Sequence, residues 1–366
     1  MPLWRSFAGL RTLHPQWGGH AYTWHSGQVE SVQFQRGDDY QRRLRESPFS
    51  FLAQDASAAA DGGAWLRRRL AGAAAGPTGF PAVDELAAAG ATDYVAGLIL
   101  FGGGDPARGM GIGWSFATDR EGGFAEDDVT LLKATLPAVS LAMMTDVAHT
   151  IAAGLLESYL GHDAGRRVHA GAVERGSVES LSAVLLYADV RGFTAVADGE
   201  PGLAVIEMLD ELFETLTAPL RRRGGQVLKF LGDGMLATFP LETPSPAESC
   251  RQALDAAAEA LLAIEALNAT RRARGKPFAP VDLALHVGEV LYGNVGAADR
   301  LDFTVIGAAV NEVARIEMLC EPLGRSLVVS AEFAAALGDG RRLEPLGHHQ
   351  LRGVRAAKEV YGFRGG

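Results

Sequence analysis

Leu181-Ser182-Ala183-Val184-Leu185-Leu186-Tyr187-Ala188 runs directly into Asp189-Val190-Arg191-Gly192-Phe193-Thr194. The first stretch is almost continuously apolar, the pattern of a strand covered on both faces. Downstream, Pro201 to Leu220 carries apolar residues at Leu203, Ile206, Leu209, Leu212, Phe213, Leu216 and Leu220, which is helical spacing. Gly224-Gly225 ends that helix. Val227–Leu231 and Met235–Phe239 flank Gly232-Asp233-Gly234, a hairpin signal. Ala247–Leu267 reads as a second helix and Val281–Val287 as another strand. The order β-α-β-β-α-β predicts an α+β, ferredoxin-like core.

The chain around this core has 366 residues, enough for two or three domains. Its 48% hydrophobic and 21% charged content excludes wholesale disorder. The net charge of −10 argues against a nucleic-acid binder, although a nucleotide needs only a few local cations. Two cysteines, Cys250 and Cys320, exclude a disulfide scaffold, and no Cys/His cluster suggests structural zinc. Met1 to Trp17 lacks a signal-peptide core. The most apolar window, Leu136–Leu156, contains Pro137, Asp146 and His149 and reads as a buried or coiled helix, not a membrane span. These features predict a cytoplasmic protein.

All five tryptophans lie in the first third and both cysteines in the last third, which predicts two unlike domains. The expected division is 1–150, an α+β regulatory domain; 151–180, a helical transducing linker; and 181–366, the catalytic domain. In the first, His20–Phe34 reads as a hairpin, Pro81–Ala89 as a helix, and Tyr94–Phe101 and Gly111–Ala117 as strands. A helix begins after Gly123-Phe124-Ala125-Glu126-Asp127-Asp128, whose acidic first turn suits the helix dipole.

Asp189 ends the apolar strand and Asp233 sits in the hairpin turn. If the hairpin lies beside that strand, both carboxylates meet at one sheet edge and can hold Mg²⁺ with substrate phosphates. An aspartate between glycines also serves simply as a turn residue. Lys229 lies within a strand, where alternation alone can send it to solvent. Asn311 and Arg315 share one helix face, able to address a ribose and a phosphorus centre, or to be a solvated face with an Arg–Glu pair. Arg67-Arg68-Arg69, Arg221-Arg222-Arg223 and Arg271-Arg272-Ala273-Arg274 read as solvated helix ends.

Three motifs together resemble the class III nucleotidyl cyclases. Tyr187-Ala188-Asp189-Val190-Arg191-Gly192-Phe193-Thr194 is similar to their first metal motif, and Lys229-Phe230-Leu231-Gly232-Asp233 to their second. Val305-Ile306-Gly307 through Val310-Asn311-Glu312-Val313-Ala314-Arg315 is similar to their transition-state helix. The likeness runs from about Leu181 to Phe363. It implies that Asp189, Asp233 and the carbonyl of Val190 bind two Mg²⁺ or Mn²⁺ ions. It assigns Lys229 and Thr304 to the purine, Asn311 to the ribose and Arg315 to the α-phosphoryl. Arg352 stands where the family usually has a terminal-phosphate lysine, and Arg300 is a further phosphate candidate.

Lysine plus threonine suits adenine, so the resemblance implies an adenylate cyclase acting on ATP, with a guanylate cyclase or a non-catalytic nucleotide sensor as rivals. Threonine at 304, where many members have aspartate, marks a subgroup often stimulated by bicarbonate. The family also implies a homodimer with shared sites, since metal aspartates and transition-state residues come from different subunits. The Gly-Gly-Asp/Glu-Glu-Phe turn of diguanylate-forming enzymes is absent at Leu231-Gly232-Asp233-Gly234-Met235. Separately, Thr92–Met144 resembles the end of a GAF-type sensory domain; a generic α+β domain accounts for the same elements. With no cysteine there, a thioether-linked bilin is excluded, and a small molecule or ion remains the expected regulator.

Overall fold

The computed structural model describes residues 3–56, 63–71, 76–101, 110–241, 245–339 and 342–364. The chain forms two compact units, Met1–Ser158 and Tyr159–Gly366.

The first unit is built on a six-stranded antiparallel sheet. Its strands are β1 (Arg5–Arg11), β2 (Trp17–His25), β3 (Gln28–Gln35), β4 (Gly63–Arg69), β5 (Asp93–Phe101) and β6 (Met110–Thr118), in the order β3-β2-β1-β6-β5-β4. Helices α1 (Asp38–Arg45), α2 (Pro48–Ala56) and α3 (Pro81–Ala88) complete it, together with most of α4 (Glu126–Leu160). Alternation along β5 sends Tyr94, Ala96 and Leu98 into a core with Leu52 of α2, and Val95 into a second core with Phe116 and with Val129, Leu132 and Leu136 of α4. Buried Asp93 links these layers: it accepts from Arg67 Nη2 at 2.8 Å and from the Phe124 amide at 3.0 Å. The arginine run at Arg67 is therefore not a solvated helix end but part of β4, with Arg67 serving a buried carboxylate.

Helix α4 is long and apolar enough to cross a membrane by length and composition. Its buried residues, Val129, Leu132, Leu136, Ser140 and Met144, lie in one stripe of its first part, and Leu131, Val139, Leu141 and Tyr159 are exposed. Of the expected buried or coiled helix, the buried part is that stripe, with Met143 and Val147 partly buried against the same unit. The segment expected as a linker contains the end of α4, α5 (His162–His169) and the first residues of β7 (Val178–Val190).

The second unit carries the predicted core. After β7 come α6 (Phe193–Gly199), α7 (Gly202–Arg222), β8 (Gln226–Leu231), β9 (Gly234–Pro240), α8 (Pro246–Ala273) and β10 (Val281–Gly296). They are followed by β11 (Leu301–Ile306), α9 (Ala308–Glu317), β12 (Leu327–Ser330), α10 (Ala331–Leu337), β13 (Leu343–His349) and β14 (Lys358–Phe363). The sheet order is β13-β14-β12-β10-β7-β9-β8, with β11 hairpinned onto β10. Its β10-β7-β9-β8 centre has the ferredoxin-like arrangement.

From Ala183 to Ala188 strand β7 is apolar because both faces are covered. Val184, Leu186, Ala188 and Val190 pack against Met208, Leu212, Leu216 and Leu220 of α7 and the alanine-rich face of α8. Leu185 faces Ala309, Val313 and Ile316 of α9. Arg271 of α8, another residue read as solvated, is 1% exposed; it donates to Pro277 O and pairs with Glu211 of α7. Burying the α8 end against α7 and the following loop removed it from solvent. Cys250 and Cys320 are buried free thiols.

Candidate active site

Strand pairing places the two aspartates. Ala188 of β7 stands opposite Met235 of β9, so the residue after the first and the turn before the second share a sheet end. Gly232 takes the left-handed conformation that the tight turn requires (φ 70°). Gly234 then leaves room for its neighbours: a Cβ there would lie 3.0 Å from Asp189 Oδ1 and 3.1 Å from the Tyr187 hydroxyl.

The Asp189 carboxyl is pushed up to about 6, first by burial and then by the charges of Asp233 and Asp282. Asp282 lies opposite Asp189 in the β7–β10 ladder. Glu317, at the end of α9 and 8% exposed, is pushed up to about 8 by burial and by Asp189 and Asp282. The Tyr187 hydroxyl is raised by burial and by Asp189, Glu317 and Asp233. Against these carboxyls stands Arg191, whose Nε donates to Asp282 at 2.7 Å and whose Nη2 donates to the Arg325 carbonyl at 3.2 Å. Asp189 and Asp233 thus make a carboxylate pair with no ion-pair partner among the described residues. That oxygen-rich, over-negative donor set fits hard divalent cations such as Mg²⁺ or Mn²⁺. Val190 has no donor atom in its buried side chain and could take such a role only through its backbone carbonyl. Sequence reading missed Asp282 and Glu317 because only strand register and helix packing bring them here.

A second group forms on β11. Phe303 and Val305 enter the core, so alternation turns Asp302 and Thr304 to the opposite face. Thr304 is in register with Gly293 of β10 and half-buried. Lys229 of β8 reaches this strand through an ion pair with Asp302. The lysine therefore does not simply point to solvent, and Asp302 joins the group unannounced by the sequence.

A third group lies on α9. Asn311 is exposed and Arg315 half-buried, one turn apart. The Arg315 guanidinium rests against Gly353, where a Cβ would come within 3.5 Å of it. Exposed Arg352 neighbours that glycine. Among the described residues Arg315 has no ion-pair partner; Glu312 is taken by Lys358 at 2.7 Å. Arg300 is exposed in the β10–β11 turn, its carbonyl accepting from the Ala297 amide. Among the described residues, no hydrogen bond or ion pair joins the aspartate pair to the other two groups within one chain.

Residues 177–365 match the family model of the adenylate and guanylate cyclase catalytic domain. Adenylate cyclase 1 of Rhizobium meliloti is 31% identical over 179 residues, which are 48% of this chain and 26% of that protein. An adenylate cyclase of Anabaena cylindrica is 28% identical over 162 residues, 43% of this chain and 31% of that protein. The chain therefore matches under a third of the length of these relatives. A solved bacterial light-regulated adenylyl cyclase resembles 98% of this chain over 93% of its own, with a TM-score of 0.53 and 15% identity, a likeness of fold.

Proposed function

Since the chain belongs to the adenylate and guanylate cyclase catalytic-domain family, we propose that it converts ATP to 3′,5′-cyclic AMP and pyrophosphate. Sites shared by two copies would do this, under control of the first unit. The observation that carries the reading is the unneutralised Asp189–Asp233 pair at one end of β7 and β9. Asp189, Asp233 and the Val190 carbonyl would hold two Mg²⁺ or Mn²⁺ ions. When bound, the ions acidify the ribose 3′-hydroxyl and balance the triphosphate charge.

The chain's own residues do the rest. Asn311 orients the ribose so that O3′ lies in line with the α-phosphorus. Arg315, without a carboxylate partner among the described residues, is available to neutralise the charge that grows there as pyrophosphate leaves. Arg352 and, further out, Arg300 offer guanidinium donors to the terminal phosphates. Lys229 donates to adenine N1, and the Thr304 hydroxyl accepts from the exocyclic amine. The family resemblance supports a two-fold homodimer in which each copy completes the other's site.

One observation favours a second reading. Asp302 stands beside Lys229, and a carboxylate there can accept from guanine N1–H while the lysine donates to O6. The first unit holds a cavity of about 1580 Å³ lined by Arg11, His20, Tyr40 and Phe49 among others, and His20 Nε2 is buried without a hydrogen bond. That supports a small-molecule regulator; bicarbonate acting at the catalytic unit is an additional proposal drawn from Thr304.

The deciding experiment measures cyclic nucleotide made from ATP and from GTP, with Mn²⁺ and with Mg²⁺, beside Asp189→Ala. The expected result is cyclic AMP that the substitution abolishes. Cyclic GMP instead would assign the Lys229–Asp302 pair to guanine, and undiminished product from Asp189→Ala would overturn the aspartate assignment.

A further inference from the structure

Helix α9 has 10 residues and an N-cap, Gly307, that offers no side-chain bond. Its apolar face, with Ala309 and the fully buried Val313 and Ile316, packs into the core of the second unit. That packing holds the buried face of the helix and leaves its polar flank to be held by other contacts. Asn311 and Arg315 need closer placement than that.

A polar network on the flank of α9 provides it. Lys358, at the start of β14, places Nζ 2.7 Å from Glu312 Oε1 and 2.9 Å from Glu332 Oε1. Glu332 lies in the first turn of α10, where the helix dipole favours its charge. His286 of β10, nearly fully buried, has Nδ1 2.9 Å from Ser330 Oγ and 3.8 Å from Glu332 Oε2. The same Ser330 hydroxyl caps α10 by accepting from the Phe333 amide at 3.0 Å. Ligand atoms of His286, Glu312 and Glu332 all lie within 4.8 Å of one another, a spacing that also suits a metal. Here the Lys358 ammonium already stands between the two carboxylates and supplies the positive charge. Both carboxylates make it hold its proton more firmly.

We propose that Lys358 is a positioning residue: by bridging Glu312 and Glu332 it ties α9 to β14 and α10 and so aims Asn311 and Arg315. Glu312 follows Asn311 directly and precedes Arg315 by one turn, so fixing Glu312 fixes both. The catalytic consequence rests on the cyclase reading above; the mechanical one does not. One ammonium thus makes an ion pair with half-buried Glu312 and a hydrogen bond with exposed Glu332, holding the flank of α9 that the apolar contact does not reach.

The test uses the full chain with Lys358→Met and Lys358→Arg. Hydrogen exchange of the α9 amides reports the strut without any need for activity. In Lys358→Met we expect α9 exchange to rise about tenfold or more while α7 and α8 stay unchanged, and Lys358→Arg to restore most of the protection. In the same samples kcat should fall about tenfold or more with KM for ATP within about twofold, again recovered by arginine. Unchanged α9 exchange in Lys358→Met overturns the strut, as does a loss of protection spread equally over α7 and α8. An Arg315→Ala control separates the two ideas: if it keeps full activity while α9 loosens as expected, the reading of α9 as catalytic has failed and the strut stands.

Discussion

Gly234 shows how little room surrounds Asp189: a single methyl there would press on its Oδ1 and on the Tyr187 hydroxyl. In that crowded space Asp189 and Glu317 both sit above their ordinary range, at about 6 and about 8. A carboxyl raised on folding binds its proton more tightly in the folded state. Its contribution to stability is present below the unfolded value and is lost as pH rises through the folded one. In EDTA, the melting temperature of the second unit should therefore fall as pH climbs from about 5 to about 8. Glu317→Gln should flatten the upper part of that fall, between about 6 and 8. Melting curves at a series of pH values check this, and a wild-type slope retained in Glu317→Gln would contradict it. The sequence exposed Asp189 and Asp233, because a strand end and a glycine turn are local signals. It hid Glu317 and Asp282, because their roles come from helix packing and from the partner residue across a ladder.

The elements that sequence made legible share one property, a long run of consistent periodicity. β7, α7, α8 and the β8–β9 hairpin were visible because both faces of β7 are covered and each helix keeps one apolar stripe. β1, β4, β12 and the β13–β14 pair escaped, since they are short strands or depend on neighbours for their burial. Charge runs misled for a related reason. Arg67 and Arg271 look solvated in sequence, yet each pairs with a carboxylate brought from elsewhere, Asp93 and Glu211. Removing the Arg67 guanidinium leaves fully buried Asp93 without its main counter-charge. Arg67→Met should lower the stability of the first unit by roughly 3–5 kcal/mol. Because all five tryptophans lie in that unit, their fluorescence during urea unfolding follows it alone. An unmoved midpoint would show that Asp93 is satisfied without Arg67.

At the scale of the molecule, two units with separate cores share one chain, and α4 supplies packing to the first before running on to Leu160. Among the described residues of the second unit, no hydrogen bond or ion pair joins its three residue groups. The proposal of a second copy came from family resemblance alone. That division has a consequence for mixtures. A chain carrying both Asp189→Ala and Arg315→Ala would still assemble, but it would spoil both sites of any pair it enters. Co-expressed with intact chains, it should act as a dominant poison, with output falling as the square of the intact fraction. A straight-line decline in the mixing series would mean instead that each chain works alone. With that doubly substituted chain the loss is not proportionate: at half intact chains about a quarter of the signal remains.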